Sequence, residues 1–226
     1  MIRERFFPAG VKLLASMMLG LTLSGCLAAA AYGPMLVGGA AIGFSIFKTV
    51  QLSTGGEAVI ELDEQDPEPG DLKTIRAANS IAVWPVNGGE GEISDRLSRL
   101  TSLEVISPSN VRKWIDDNGH DRDASILTYA EKEQLSSQMG RNLGADLVLV
   151  VETGQMKQAE ANVWSFDRGE IEFDFEMALV SSLKERIVWK EPGRLLIEVG
   201  GTIPGEGEIN KIAQDAIAER VAQLVN

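Results

Sequence analysis

The chain has little of three things. Among its 226 residues there is one cysteine and one histidine, and 21 Lys and Arg stand against 33 Asp and Glu. A lone thiol, Cys26, excludes an internal disulfide and any multi-cysteine zinc site. A lone imidazole, His120, leaves histidine metal sites and charge relays short of partners. The net charge of −12 opposes nonspecific nucleic-acid binding, which needs clustered bases on phosphate. No cofactor, no metal and no nucleic-acid partner are therefore expected. What is present is apolar material, 44% of residues, enough for the core of one ordinary domain.

Residues 1–25 read as an export leader. Arg3, Arg5 and Lys12 make a cationic start, Val11 to Leu23 is mostly apolar, and small residues precede the cysteine. The sequence Leu23-Ser24-Gly25-Cys26 resembles the lipobox of bacterial lipoproteins. That resemblance implies diacylglyceryl transfer to Cys26, cleavage between Gly25 and Cys26, and further acylation with chains such as palmitate. The only thiol is then consumed as an anchor and is no candidate for catalysis. Leu27 follows where aspartate favours inner-membrane retention in enteric lipoproteins, so the resemblance implies the outer membrane, with the inner membrane as alternative. Loss of the leader removes three bases and one acid and leaves −14. Such a chain is not drawn electrostatically to anionic lipid, and attachment must come from acyl chains.

Residues 27–47 carry no charge and approach the length of a bilayer-spanning helix. Gly33-Pro34 would kink such a helix, while Gly39 and Gly43 form a GxxxG notch where two copies could meet. The segment over 26–48 either dips into the membrane or packs against the protein body. Residues 49–62 then read as a β-hairpin around Thr54-Gly55-Gly56. Residues 63–78, opening DEQDPEPGD, read as an acidic linker that cannot bury itself.

Residues 79–226 read as one α/β domain facing the periplasm. The buried run at Ile81–Val86, a helix through Ile93, Leu97 and Leu100, a strand at Leu103–Ile106 and a helix after Ser107-Pro108 make a β-α-β-α start. A capping box at Thr128-Tyr129-Ala130-Glu131 opens a helix that Gly144 stops, and Ala145–Val151 is an interior strand. The period then becomes two: Ile171, Phe173, Phe175, Met177 and Leu179 alternate with acids. One or two strands surround Pro192-Gly193, and Ile209 to Leu224 mark a C-terminal helix packed on the sheet. The fold class expected is α/β with a mixed sheet, antiparallel in its second half.

The order IAVWPV, helix, LEVISPSNV, LGADLVLVVE, MALVSSLKERIVWK and final helix resembles the small domain of three envelope families. These are the curli-secretion lipoproteins, the penicillin-binding-protein activator lipoproteins and the N-terminal domain of the Tol translocation protein TolB. Glu152 and Lys184-Glu185-Arg186 depart from glycines common there. The resemblance implies a docking or assembly role without catalysis, with protein partners in the envelope, and carries over no catalytic residue. A component of a secretion pore related to the curli channel is one alternative. A cell-envelope hydrolase or small-ligand carrier is the other.

Individual motifs favour plain readings. The ladder Glu170, Glu172, Asp174, Glu176 fits the wet face of an antiparallel sheet better than a cation site. Asp116 to Asp123 resembles a cation loop in composition, but no register satisfies an EF-hand. The glycine-rich stretches 87–91 and 200–207 lack the Lys-Ser/Thr of a P-loop. Trp84, Trp114 and Trp189 belong to apolar segments, which leaves Trp164 with Phe166, near a hairpin tip, as the aromatic candidate for a partner contact.

Overall fold

The computed structural model describes residues 44–85, 89–120, 127–159, 169–199 and 204–226, and of 155–159, 169–170 and 199 the backbone alone. Cys26, Gly25, Gly39, Gly43, Trp164 and Phe166 all lie outside the described residues.

Seven strands form one mixed sheet: β1 (Ser45–Gln51), β2 (Glu57–Leu62), β3 (Ser80–Val83), β4 (Glu104–Val105), β5 (Leu147–Ala159), β6 (Gly169–Ser181) and β7 (Arg186–Val199), in the order β1-β2-β7-β6-β5-β3-β4. The helices are α1 (Pro69–Arg76), α2 (Glu90–Leu100), α3 (Pro108–Asp117), α4 (Tyr129–Leu143) and α5 (Glu206–Val225). The expected β-α-β-α start is present, and β3 lies between parallel partners β4 and β5. Every residue of β3 is buried: Ile81, Ala82 and Val83 by their apolar run, and Ser80 with its hydroxyl donating to Gly144 O at 2.9 Å. The pairings β5-β6, β6-β7, β7-β2 and β2-β1 are all antiparallel.

The apolar alternation of β6 decides which side is covered. Ile171, Phe175, Met177 and Leu179 bury with Leu149, Val151, Leu195 and Ile197 beneath α1, α2 and α5. Helices α3 and α4 cover the other side of β3, the first half of β5 and the adjoining ends of β6 and β7, where Val111, Trp114, Ile115 and Met139 meet Ala82, Trp84, Val148, Val150 and Val180, with Ile187 packed against them. The remaining face of β6 and β7 carries Glu172, Asp174, Glu176, Lys190 and Arg194.

Two expectations are corrected. Residues 45–48, placed at the end of the apolar segment 26–48, belong to β1, and Phe47 packs against the core. The hairpin is not set apart by a linker: β2 pairs with β7, from Glu57 against Glu198 to Leu62 against Gly193, which makes it part of the domain sheet. The acidic stretch 63–68 runs along β7, where Asp63 N–H donates to Pro192 O at 3.1 Å, Gln65 N–H to Glu191 Oε2 at 3.1 Å and Trp189 Nε1–H to Gln65 O at 2.8 Å. Pro69 at the first turn then starts α1, which buries Ile75. Composition could not foresee this, because the acidic stretch is held by main-chain bonds rather than by side-chain burial.

Strand β7 is continuous through Pro192-Gly193, for two local reasons. The Pro192 carbonyl faces Asp63, just past the last paired residue of β2, so the missing proline N–H costs no ladder bond. Gly193 lies opposite Phe175, and a Cβ there would meet the Phe175 ring at 2.4 Å and Leu62 Cδ2 at 2.9 Å. The ring occupies the space that the glycine leaves.

The predicted capping box is formed: the Thr128 hydroxyl accepts from Glu131 N–H, and the Glu131 carboxylate accepts from Thr128 N–H at 2.8 Å. Those bonds hold the Glu131 carboxyl below its ordinary pKa. Gly144, at φ +75°, ends the helix as expected.

Candidate functional site

Three clusters of charge lie on this scaffold. The first is the open face of β6 and β7. Register places Glu172, Asp174 and Glu176 on one side of β6, across from Leu196, Arg194 and Pro192. Arg194 Nε bridges Asp174 at 2.9 Å and Glu172 at 3.2 Å, and its guanidinium lies over the Phe44 ring at 5.2 Å. Hydrogen bonding to Asp174 and the surrounding acids hold the Arg194 guanidinium in its charged form, above its ordinary pKa. Further along, Lys190 meets Glu176 at 2.9 Å and the Tyr129 hydroxyl, with its ammonium over the Tyr129 ring at 4.3 Å. Partial burial pulls the Lys190 pKa down, but bonds to Tyr129 and Glu176 outweigh it and the net direction is up. Lys132, buried on α4, pairs with Glu152 on β5. The acidic ladder is thus threaded with bases from the neighbouring strand and helix, which a single strand read in isolation does not show.

The second cluster is a buried pair. Arg220 on α5 donates Nε to Glu191 Oε1 at 2.9 Å and Nη2 to Oε2 at 2.7 Å, and Glu191 is fully buried on β7. The bidentate geometry offsets desolvation, and the bond to Glu191, ahead of burial, raises the Arg220 pKa. This pair locks the C-terminal helix to the sheet and, through Gln65, to the acidic stretch.

The third cluster pins the β6–β7 turn. Asp71, buried in the first turn of α1, accepts from Lys184 Nζ at 2.8 Å and from Arg186 Nη2 at 2.7 and 2.9 Å. Lys184, then Arg186, hold the Asp71 carboxyl below its ordinary value against the opposing effect of burial. On the other side Arg141 meets the Ser182 carbonyl and Glu185. Between these fixed points Leu183 is 90% exposed. Sequence reading missed this residue; its one signal was a single leucine inside a polar turn, Ser181-Ser182-Leu183-Lys184-Glu185-Arg186.

The remaining motifs fall as follows. Trp84, Trp114 and Trp189 are buried, as their apolar segments imply. The His120 ring lies 5.5 Å from that of Trp114 at the end of α3, where Gly119 takes φ +68°. Gly89 and Gly205 precede α2 and α5 as N-caps, so the glycine-rich stretches serve as helix entries where they are described. Grooves lie on the surface of the described residues. One, of about 480 Å³, runs along α1 between Pro69, Leu72, Lys73, Arg76 and Ala77. Another, of about 380 Å³, lies between the first turns of α2 and α5, with Glu92, Asp95, Arg99, Lys211 and Asp215 on its walls. Among the described residues no helix is long and apolar enough to cross a membrane, and no group of three His, Cys, Asp or Glu could hold a metal ion.

No family model and no curated protein matches the chain. Solved structures similar to it include the PelC dodecamer from Paraburkholderia phytofirmans, at 12% identity over 74% of this chain and 96% of that one, TM-score 0.42. Lipoprotein GNA1162 from Neisseria meningitidis is 16% identical over 64% of this chain and 98% of its own, TM-score 0.41. LpoB from E. coli is 14% identical over 58% and 74%, TM-score 0.36.

Proposed function

We propose that this protein is an envelope lipoprotein, attached through acylated Cys26, whose α/β domain docks other envelope proteins in assembly or maintenance and does no chemistry. The observation that carries the reading is the order of signals at the N-terminus: cationic start, apolar run, then Leu23-Ser24-Gly25-Cys26. Two acyl chains or more suffice for stable attachment. The outer membrane is the proposed location, on the strength of Leu27. The pinned turn and the sheet-helix ion pairs support a docking role, because they give the domain a fixed surface.

Replacing Cys26 by Ser tests the anchor. The wild-type chain is expected in the membrane fraction and the variant in the soluble fraction after salt and carbonate washing. Equal membrane retention of both would refute attachment through Cys26. Crosslinking of membranes with the tagged wild-type chain is expected to recover envelope proteins, and recovery of the protein alone would count against docking.

A further inference from the structure

Strand β1 is the outermost strand of the sheet, and it is held more lightly than β2 beside it. None of its seven residues is buried: Phe47, Lys48 and Val50 are half-buried and the rest are exposed, Ile46 at 56%. In β2, by contrast, Ala58, Val59, Ile60 and Leu62 are all buried. The pairing of β1 with β2 shifts register between Ile46 and Lys48, where a bulge interrupts the ladder. An edge strand with few buried apolar groups and an interrupted ladder opens at small cost.

Charged contacts tie β1 to the domain, and their partners stay satisfied without it. Lys48 Nζ donates to Glu219 Oε1 at 2.8 Å and Oε2 at 2.7 Å on α5, and Glu219 also accepts from Arg96 Nη2 of α2 at 3.0 Å. Arg96 Nε in turn stands 3.5 Å from Asp215. Partial burial pushes the Glu219 carboxyl up, but Lys48 and then Arg96 outweigh it and the net direction is down. At the start of the strand the Phe44 ring lies against Arg194, which keeps Asp174 and Glu172. Release of β1 therefore leaves no buried charge unpaired, unlike the parting of Arg220 from Glu191. Past the strand the hold is firmer. Leu52 is buried in the core, its N–H donates to Gly56 O at 2.9 Å, and Ser53 donates N–H at 2.9 Å and Oγ–H at 2.8 Å to Glu208 at the start of α5. Opening from the Phe44 end thus stops at Leu52.

We infer that β1 is a releasable strap: residues 44–51 peel from β2 as a unit, hinged at Leu52, while β2 and the rest of the sheet stay folded. In sequence the chain from Cys26 joins the strand at Phe44, so a pull from that side acts first on Ser45 against Leu62 and then along the ladder. Opening lengthens the tether by about 25–30 Å, the full extension of eight residues. The domain gains reach without unfolding, and the Lys48–Glu219 pair sets how often the strap opens. The gain in reach rests on the anchored reading above; the strap itself does not.

Site-resolved hydrogen exchange of the full chain, purified in detergent and followed over a series of low urea concentrations, tests this. Amides of 45–51 that bond to β2 are expected to exchange about tenfold or more faster than those of β3, with no dependence on urea. Within β2, amides turned to β1 should follow the strap, while those turned to β7 should exchange with the domain. Lys48→Gln should speed exchange of the strap about two- to fivefold, as loss of a partly exposed ion pair predicts. Exchange of 45–51 at the rate and urea dependence of β3 overturns the strap. If every β2 amide follows β1, the hairpin opens whole and the hinge at Leu52 is wrong. A strap unmoved by Lys48→Gln refutes control by the Lys48–Glu219 pair. Exchange is read whether or not Cys26 is acylated, so failure of the strap is distinct from failure of the anchor, which the membrane retention of Cys26→Ser decides.

Discussion

Asp71 and Glu191 are buried carboxylates, each bonded to bases from another element. Glu191 is fully buried with Arg220, so Glu191→Gln is expected to cost about 3–5 kcal/mol by leaving the guanidinium buried without its charge partner. The joint change Glu191→Leu and Arg220→Met should recover most of that loss, and urea unfolding of the single and double variants measures it. Asp71 behaves differently because Lys184 and Arg186 are partly exposed. Its carboxyl titrates below the ordinary aspartate value of 3.8, so its contribution is fully present above that pH and is lost as pH falls through the lower folded value. Thermal melts of wild type should lose stability below about pH 4, and Asp71→Asn should be less stable at neutral pH with a flatter decline over that acid range. An unchanged acid slope would refute this assignment. Gly193→Ala places a methyl group into the Phe175 ring and should cost about 1–3 kcal/mol.

Among the elements, those with strong local signals are legible in the sequence: the capped α4, the buried β3, the alternating β6 and the C-terminal helix. Thr128→Ala should lower stability by about 1 kcal/mol and Thr128→Ser should restore most of it, as read by denaturant midpoint. What stays illegible depends on partners far away in the chain. The stretch Asp63–Glu68 reads as a solvated linker by composition, yet Gln65 is fixed by Trp189 and Glu191, more than a hundred residues on. The hairpin of β1 and β2 is recognisable, but not that β2 continues the domain sheet, because pairing with β7 leaves no mark in either strand alone. Of the sites, the charged side of β6 is visible as a ladder, while the bases that thread it, Lys190 and Arg194, come from a strand whose Pro192-Gly193 reads as an interruption. Leu183 is hidden for another reason: periodicity has no use for a lone leucine in a turn.

At the scale of the whole molecule, the sheet is covered on one side by α1, α2 and α5 and only partly on the other by α3 and α4. Acids and bases alternate on the open face, where Lys132, Lys190 and Arg194 pair with Glu152, Glu176, Glu172 and Asp174. A lipid-anchored domain of this kind would be held close to the bilayer. All of this depends on Cys26. The most direct measurement is intact mass and N-terminal peptide mass spectrometry of the protein taken from its own membranes. The account predicts a mature chain beginning at Cys26 and carrying diacylglyceryl and N-acyl groups; an intact Met1 leader, or an unmodified Cys26 thiol, would contradict it.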